Sequence, residues 1–120
     1  MAEGAQLPAA THEIFHSDCP ARKTIDRVTS RWGVWVLIAL RGSDLRFFEL
    51  RDSIRGVSEK MLSQTLRGLT EDGLVWRQVE PTTPPSVTYG LTVAGFDVAE
   101  PLTDLLDRIT GGPSAQRLDG

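Results

Sequence analysis

Between Ser58 and Arg67 lie the side chains best suited to reading a polar polymer: Ser58, Lys60, Ser63, Gln64 and Arg67, with Met61 among them. Arg, Lys and Gln match the donors and acceptors on base edges in a major groove, and Ser reaches phosphate oxygens. Their spacing puts most of them together. At about 100° per residue, Leu62, Leu66 and Leu69 fall within ~40° of one another, and Lys60, Gln64, Arg67 and Glu71 collect on the opposite side, flanked by Met61 and Ser63. A lone helix of this kind is simply wet on one face. The elements around it decide for the sharper reading, a face laid into DNA. Glu71, at the far end, is expected to point away from phosphates.

Other chemistry is sparse. His12, His16 and Cys19 stand at i, i+4 and i+7, a spacing that would suit zinc on a helix, but the segment reads as loose and supplies no fourth ligand, so no metal is expected. No nucleophile, base and oxyanion set can be assembled, and no Gly-rich loop cradles a phosphate. A cofactor-free protein that is not an enzyme follows. Cys19 is a candidate redox sensor: Arg22 and Lys23 lie one turn on and favour a thiolate. The adjacent Asp18 opposes it, and the chain holds no second cysteine to resolve an oxidised one, so the residues favour a structural role.

The elements that must hold the polar face follow from periodicity. From Thr24, "TIDRVTSRWGVWVLIALRG" repeats apolar residues at helical intervals up to a stop at Gly42, and Gly33 is expected to divide it. The stretch from Trp32 to Leu40, apolar almost all round, predicts the buried centre. "SDLRF" is a short strand, and "FFELRDSI" a short helix on Phe47, Leu50 and Ile54. "RGV" turns the chain, with Gly56 free to take a positive φ. Ser58 caps a helix over about 58–72, and Gly73 closes it. Two helices joined by about four residues that include a glycine make a helix-turn-helix.

Next, "LVWRQVE" and "SVTYGL" read as strands of a hairpin over about 74–91, its "PTTPP" tip stiffened by Pro81, Pro84 and Pro85. Arg77, Thr82, Thr83 and Ser86 on this wing are candidate contacts to the sugar-phosphate backbone. The last helix, "TVAGFDVAEPLTDLLDRI", should kink at Pro101. Its Phe96, Leu102, Leu105, Leu106 and Ile109 offer more apolar surface than one small domain covers, which predicts a homodimer interface. Residues 1–17 read as a flexible segment, 18–110 as the DNA-binding and dimerisation domain, and 111–120 as a disordered tail.

Composition agrees with one small domain of 120 residues. The net charge of −3 argues mildly against nucleic acid, but it hides a gradient. Six basic residues face four acidic ones from Arg41 to Arg67, and two face five from Thr92 onward. A single cysteine and no evident signal peptide or apolar spanning run predict a cytoplasmic protein away from any membrane.

The fold class is therefore mainly α with a small β-hairpin, a winged helix-turn-helix. The residues that carry it, Cys19-Pro20, Trp32, "RFFELRDSIRGVSEKMLSQTLRGLTEDGLVWRQVEP" and "TPPSVTYGLTVAG", resemble the HxlR-type family of bacterial winged-helix transcriptional regulators, related to the MarR group. The resemblance runs from about Cys19 to Ile109. It implies a dimeric, sequence-specific regulator of double-stranded DNA, with its effector, a small molecule or an oxidant, unspecified. It also implies that some members sense redox change through the cysteine at the place of Cys19. Where the family has a basic residue after the double proline and an acidic one before the tyrosine, this chain has Ser86 and Thr88. The alternative is a winged helix that binds protein without specific DNA binding; steep salt dependence separates the two.

Overall fold

The apolar run up to Gly42 folds as two helices, α1 (Pro20–Val28) and α2 (Arg31–Gly42), in a computed structural model that describes residues 20–111. The break falls at Thr29 and Ser30, ahead of Gly33. Ser30 is extended; its hydroxyl donates to the Arg27 carbonyl at 2.7 Å and accepts from the Gly33 N–H at 3.2 Å, closing one helix and capping the next. Gly33 serves a different purpose. A Cβ there would run into the Arg27 carbonyl and the Ser30 hydroxyl, so glycine lets the start of α2 press against the end of α1. α1 also begins earlier than Thr24, with Pro20 in the first helical position, where its missing N–H costs nothing.

β1 (Leu45–Arg46), α3 (Phe47–Ser53), α4 (Glu59–Glu71), β2 (Val75–Glu80), β3 (Ser86–Leu91) and α5 (Val93–Thr110) follow. The hairpin is part of a larger sheet. β1 joins it to give an antiparallel order β1-β3-β2, with Leu45 opposite Tyr89 and Arg46 opposite Thr88. On β2–β3 the register runs from Val75 opposite Leu91 to Glu80 opposite Ser86.

Packing explains the helices. Val36, Leu37 and Leu40 of α2, Leu50 of α3 and Leu62, Leu66 and Leu69 of α4 are essentially inaccessible, and Val75, Tyr89, Leu91 and Ala99 close the core around them. Each such leucine contributes about 1.5–3 kcal/mol by leaving water. Gly56 takes φ +87 in the turn before α4, and Ser58 caps α4 by accepting the Met61 N–H. At the other end, Gly73 takes φ +77 while its N–H reaches the Thr70 carbonyl and the Leu74 N–H reaches that of Leu69, a Schellman motif.

Two further contacts fix the orientation of α4. Arg27 donates through Nη1 to both the Gly68 carbonyl and Asp72 Oδ1, each at 2.8 Å, tying the end of α1 to the end of α4. Any side chain at Gly68 would displace the Arg27 stem. Thr92 then anchors α5 to the turn after α4: its hydroxyl donates to the Gly73 carbonyl at 2.6 Å and accepts from the Gly95 N–H at 3.0 Å. α5 lies along α2, with Arg41 paired to Glu100 at 2.8 Å. Pro101 removes one backbone donor from α5, but the helix continues through it to a left-handed Gly111.

Candidate nucleic-acid interface

α4 buries Leu62, Leu66 and Leu69 and leaves Lys60, Ser63, Gln64, Arg67 and Glu71 exposed, as their spacing predicts. Met61, 41% exposed, flanks this face. The Ser58 hydroxyl oxygen is engaged by the Met61 N–H at 3.1 Å, and its own proton remains available to an acceptor. Thr65 turns back on its helix, its hydroxyl donating to the Met61 carbonyl at 2.8 Å.

Charge pairing leaves the cations of this face free, as it does not for four of the arginines elsewhere. Arg22, Arg27, Arg41 and Arg51 are each ion-paired with an acidic residue. Lys60, Arg67 and Arg77 take part in no ion pair among the described residues. Glu59, the acid at the start of α4, is held by Arg51 Nη1 at 3.1 Å, which offsets the charge that would repel a phosphate there. Arg51 also lies over the Phe48 ring, 4.7 Å from its centroid.

The wing residues divide between two grooves. Arg77 joins Ser63 and Arg67 in a groove of about 390 Å³ between α4 and the sheet, with Thr70 and Tyr89. Glu71 lines this groove too, with Arg67 and Arg77, so a carboxylate tempers the positive end of the face. Thr82, Thr83 and Ser86 belong to a second groove of about 590 Å³, which Arg46, Phe47 and Phe48 also line. The Thr82 hydroxyl is spent within the tip, donating to the Pro84 carbonyl at 2.7 Å. Arg46 and the exposed Phe48 carry no periodicity signal and escape sequence reasoning; only the absence of Lys and Arg from the tip hints that a cation must come from elsewhere.

Of the apolar α5 residues, Phe96, Leu105 and Ile109 are exposed, at 43%, 53% and 73%, and Leu106 is half-buried. Leu102 is half-buried against the chain's own core. Cys19, His12 and His16 lie outside the described residues, as do residues 1–17 and the tail beyond Gly111. Among the described residues no helix is long and apolar enough to cross a membrane.

A short helix, a glycine turn and a second helix with an unpaired cationic face, followed by a three-stranded sheet with a projecting hairpin, define a winged helix-turn-helix. Residues 27–112 match the HxlR-like helix-turn-helix family, and the chain belongs to it. An uncharacterized HTH-type transcriptional regulator, YtfH of Escherichia coli (strain K12), is 48% identical over 96 residues, covering 80% of this chain and 76% of its own. A structure named as a transcriptional regulator, ytfH from Salmonella typhimurium, superposes with a TM-score of 0.76 at 46% identity over 80% of this chain and 86% of that one. The diamide-treated YodB from Bacillus subtilis superposes with a TM-score of 0.64 at 30% identity, over 76% of this chain and 91% of that one. The protein is a DNA-binding transcriptional regulator.

Proposed function

We propose that the chain works in the cytoplasm as a homodimer that reads a two-fold symmetric DNA site. α4 enters the major groove, where Gln64 and Arg67 address base edges while Lys60, Ser58 and Ser63 hold phosphates. Met61 contributes apolar contact at the rim, and Arg77, Thr83 and Ser86 follow the backbone beyond it, whereas Thr82 must give up its bond to the Pro84 carbonyl before it can donate to a phosphate. The observation that carries this reading is the α4 face itself: Lys60, Gln64 and Arg67 stand exposed opposite the buried leucines, and its cations take part in no ion pair among the described residues. α5 supplies the dimer contact through Phe96, Leu105, Leu106 and Ile109, with Leu102 bracing it from the core. In such a dimer the two α4 helices stand about 34 Å apart, one turn of B-DNA.

Selection of bound sequences from a random DNA pool tests this directly. Enrichment of a palindrome with half-sites about 10 base pairs apart is the expected result. Absence of enrichment, together with binding indifferent to salt, would return the chain to a protein-binding winged helix. Cys19 is assigned a structural role on its neighbours in sequence. The same operator, titrated with and without diamide for the parent and for Cys19→Ser, decides whether it senses oxidants; parallel behaviour is expected.

A further inference from the structure

We propose that Arg46 supplies the wing's phosphate contact, reaching the DNA backbone from outside the hairpin across the groove between α3 and the tip. This rests on the DNA-binding reading above and deepens it. The tip from Pro81 to Val87 contains no Lys or Arg. Its polar side chains are Thr82, Thr83 and Ser86, and the Thr82 hydroxyl already donates to the Pro84 carbonyl. A hydroxyl can donate a hydrogen bond to a phosphate oxygen but brings no positive charge to it and releases no counterion. A tip of this composition can position a phosphate and cannot neutralise one.

Arg46 stands where the missing charge belongs. It is opposite Thr88 in the β1–β3 register, so the two side chains leave the same face of the sheet, and Ser86 follows on that face two residues nearer the tip. Arg46 and the tip line one groove of about 590 Å³. The residue is exposed and takes part in no ion pair among the described residues. Its backbone N–H donates to Glu49 Oε1 at 2.8 Å, and its guanidinium has no hydrogen-bond partner among the described residues, so the fork is open for two oxygens. Arg51, the arginine within α3, is bound to Asp52 and Glu59 instead. Glu80 lines the same groove and is the competitor: with no DNA present it attracts the guanidinium, and with DNA it repels the phosphate.

The test is the slope of log affinity against log salt for a selected operator and for unrelated DNA. It compares the full-length parent, Arg46→Gln, Arg46→Lys and the Arg46→Gln/Ser86→Arg double variant. Arg46→Gln should flatten the slope by about 0.9 per subunit and weaken both DNAs by the same factor, because a phosphate carries no sequence. Arg46→Lys should keep the slope. Ser86→Arg, placing a cation across the same groove, should restore it. Overturning results are an Arg46→Gln slope equal to the parent's, a loss confined to the operator, or a double variant that fails to recover. Arg46→Gln keeps the aliphatic stem, and unchanged melting temperatures show that folding is not what moved. A parent without salt-dependent binding would instead refute the DNA-binding reading, a result distinct from any of these.

Discussion

Gln64 and Arg67 stand one helical turn apart on the exposed side of α4, long enough to reach base edges and bound to nothing else among the described residues. Gln64→Ala and Arg67→Ala should each weaken operator binding by about 1–3 kcal/mol and relax the preferred sequence. Lys60→Ala should weaken all DNA alike. Gel-shift titration against operator and scrambled DNA reads both effects, and variants that bind the operator as tightly as the parent would remove α4 from the groove. Arg27 acts at the same scale through folding. Its Nη1 serves the Gly68 carbonyl and an Asp72 carboxylate that is 12% exposed and whose Oδ2 has no partner. Arg27→Ala takes the donor from Asp72 Oδ1 and leaves the Gly68 carbonyl with the Asp72 N–H alone, so urea unfolding should show a loss of about 1–3 kcal/mol. An unchanged midpoint would mean that water replaces the guanidinium at no cost.

Among the elements, α5 is held at two places: at Thr92, on the turn after α4, and at Glu100, on Arg41 of α2. The Arg41 hydrogen bond, reinforced by its charge, holds the Glu100 carboxyl below its ordinary range, and Glu100 in turn raises Arg41 above its own. The sign follows. A carboxylate with a depressed folded value stabilises the fold above the unfolded value and loses that contribution as pH falls through the folded one. Arg41 stays charged throughout and adds no pH dependence of its own in this range. Glu100→Gln should therefore melt slightly below the parent at pH 7, with the difference closing as pH falls below the ordinary carboxylate range. Salt should close it too, since the pair is at the surface. A difference that persists in acid would assign the effect to packing of α5 on α2.

At the scale of the whole molecule, the apolar surface left on α5 is the interface to test. Leu105 and Ile109 are exposed in the single chain, so charging them leaves the monomer core intact. Leu102 is unsuitable, because it also packs on that core. Leu105→Asp/Ile109→Asp should sediment as a folded monomer and lose most operator affinity, since one α4 then binds without its twin. A parent that is monomeric at micromolar concentration would end the two-fold model.

What could be read from the chain alone was whatever depends on near neighbours. The leucine stripe of α4, the Ser58 cap and the left-handed glycines 56 and 73 follow from backbone geometry over a turn or two, so their spacing sufficed. The second strand of the wing announced itself through the alternation of Val87, Tyr89 and Leu91 with Ser86, Thr88 and Gly90. Tertiary structure decided what depends on segments distant along the chain. β1 is two residues long, too short for a period, and is a strand only because β3 lies beside it. Gly33 looked like a helix break and proves to be a point of close approach, because the Arg27 carbonyl stands where a Cβ would be. The wing residues seemed one surface, yet folding sends Arg77 toward α4 and the tip toward Arg46. Leu102 and Leu105 share a helix and a chemistry, and only the position of the core makes one of them partly interior. Sequence period specifies which face a residue occupies, whereas what that face meets is set by how the elements pack.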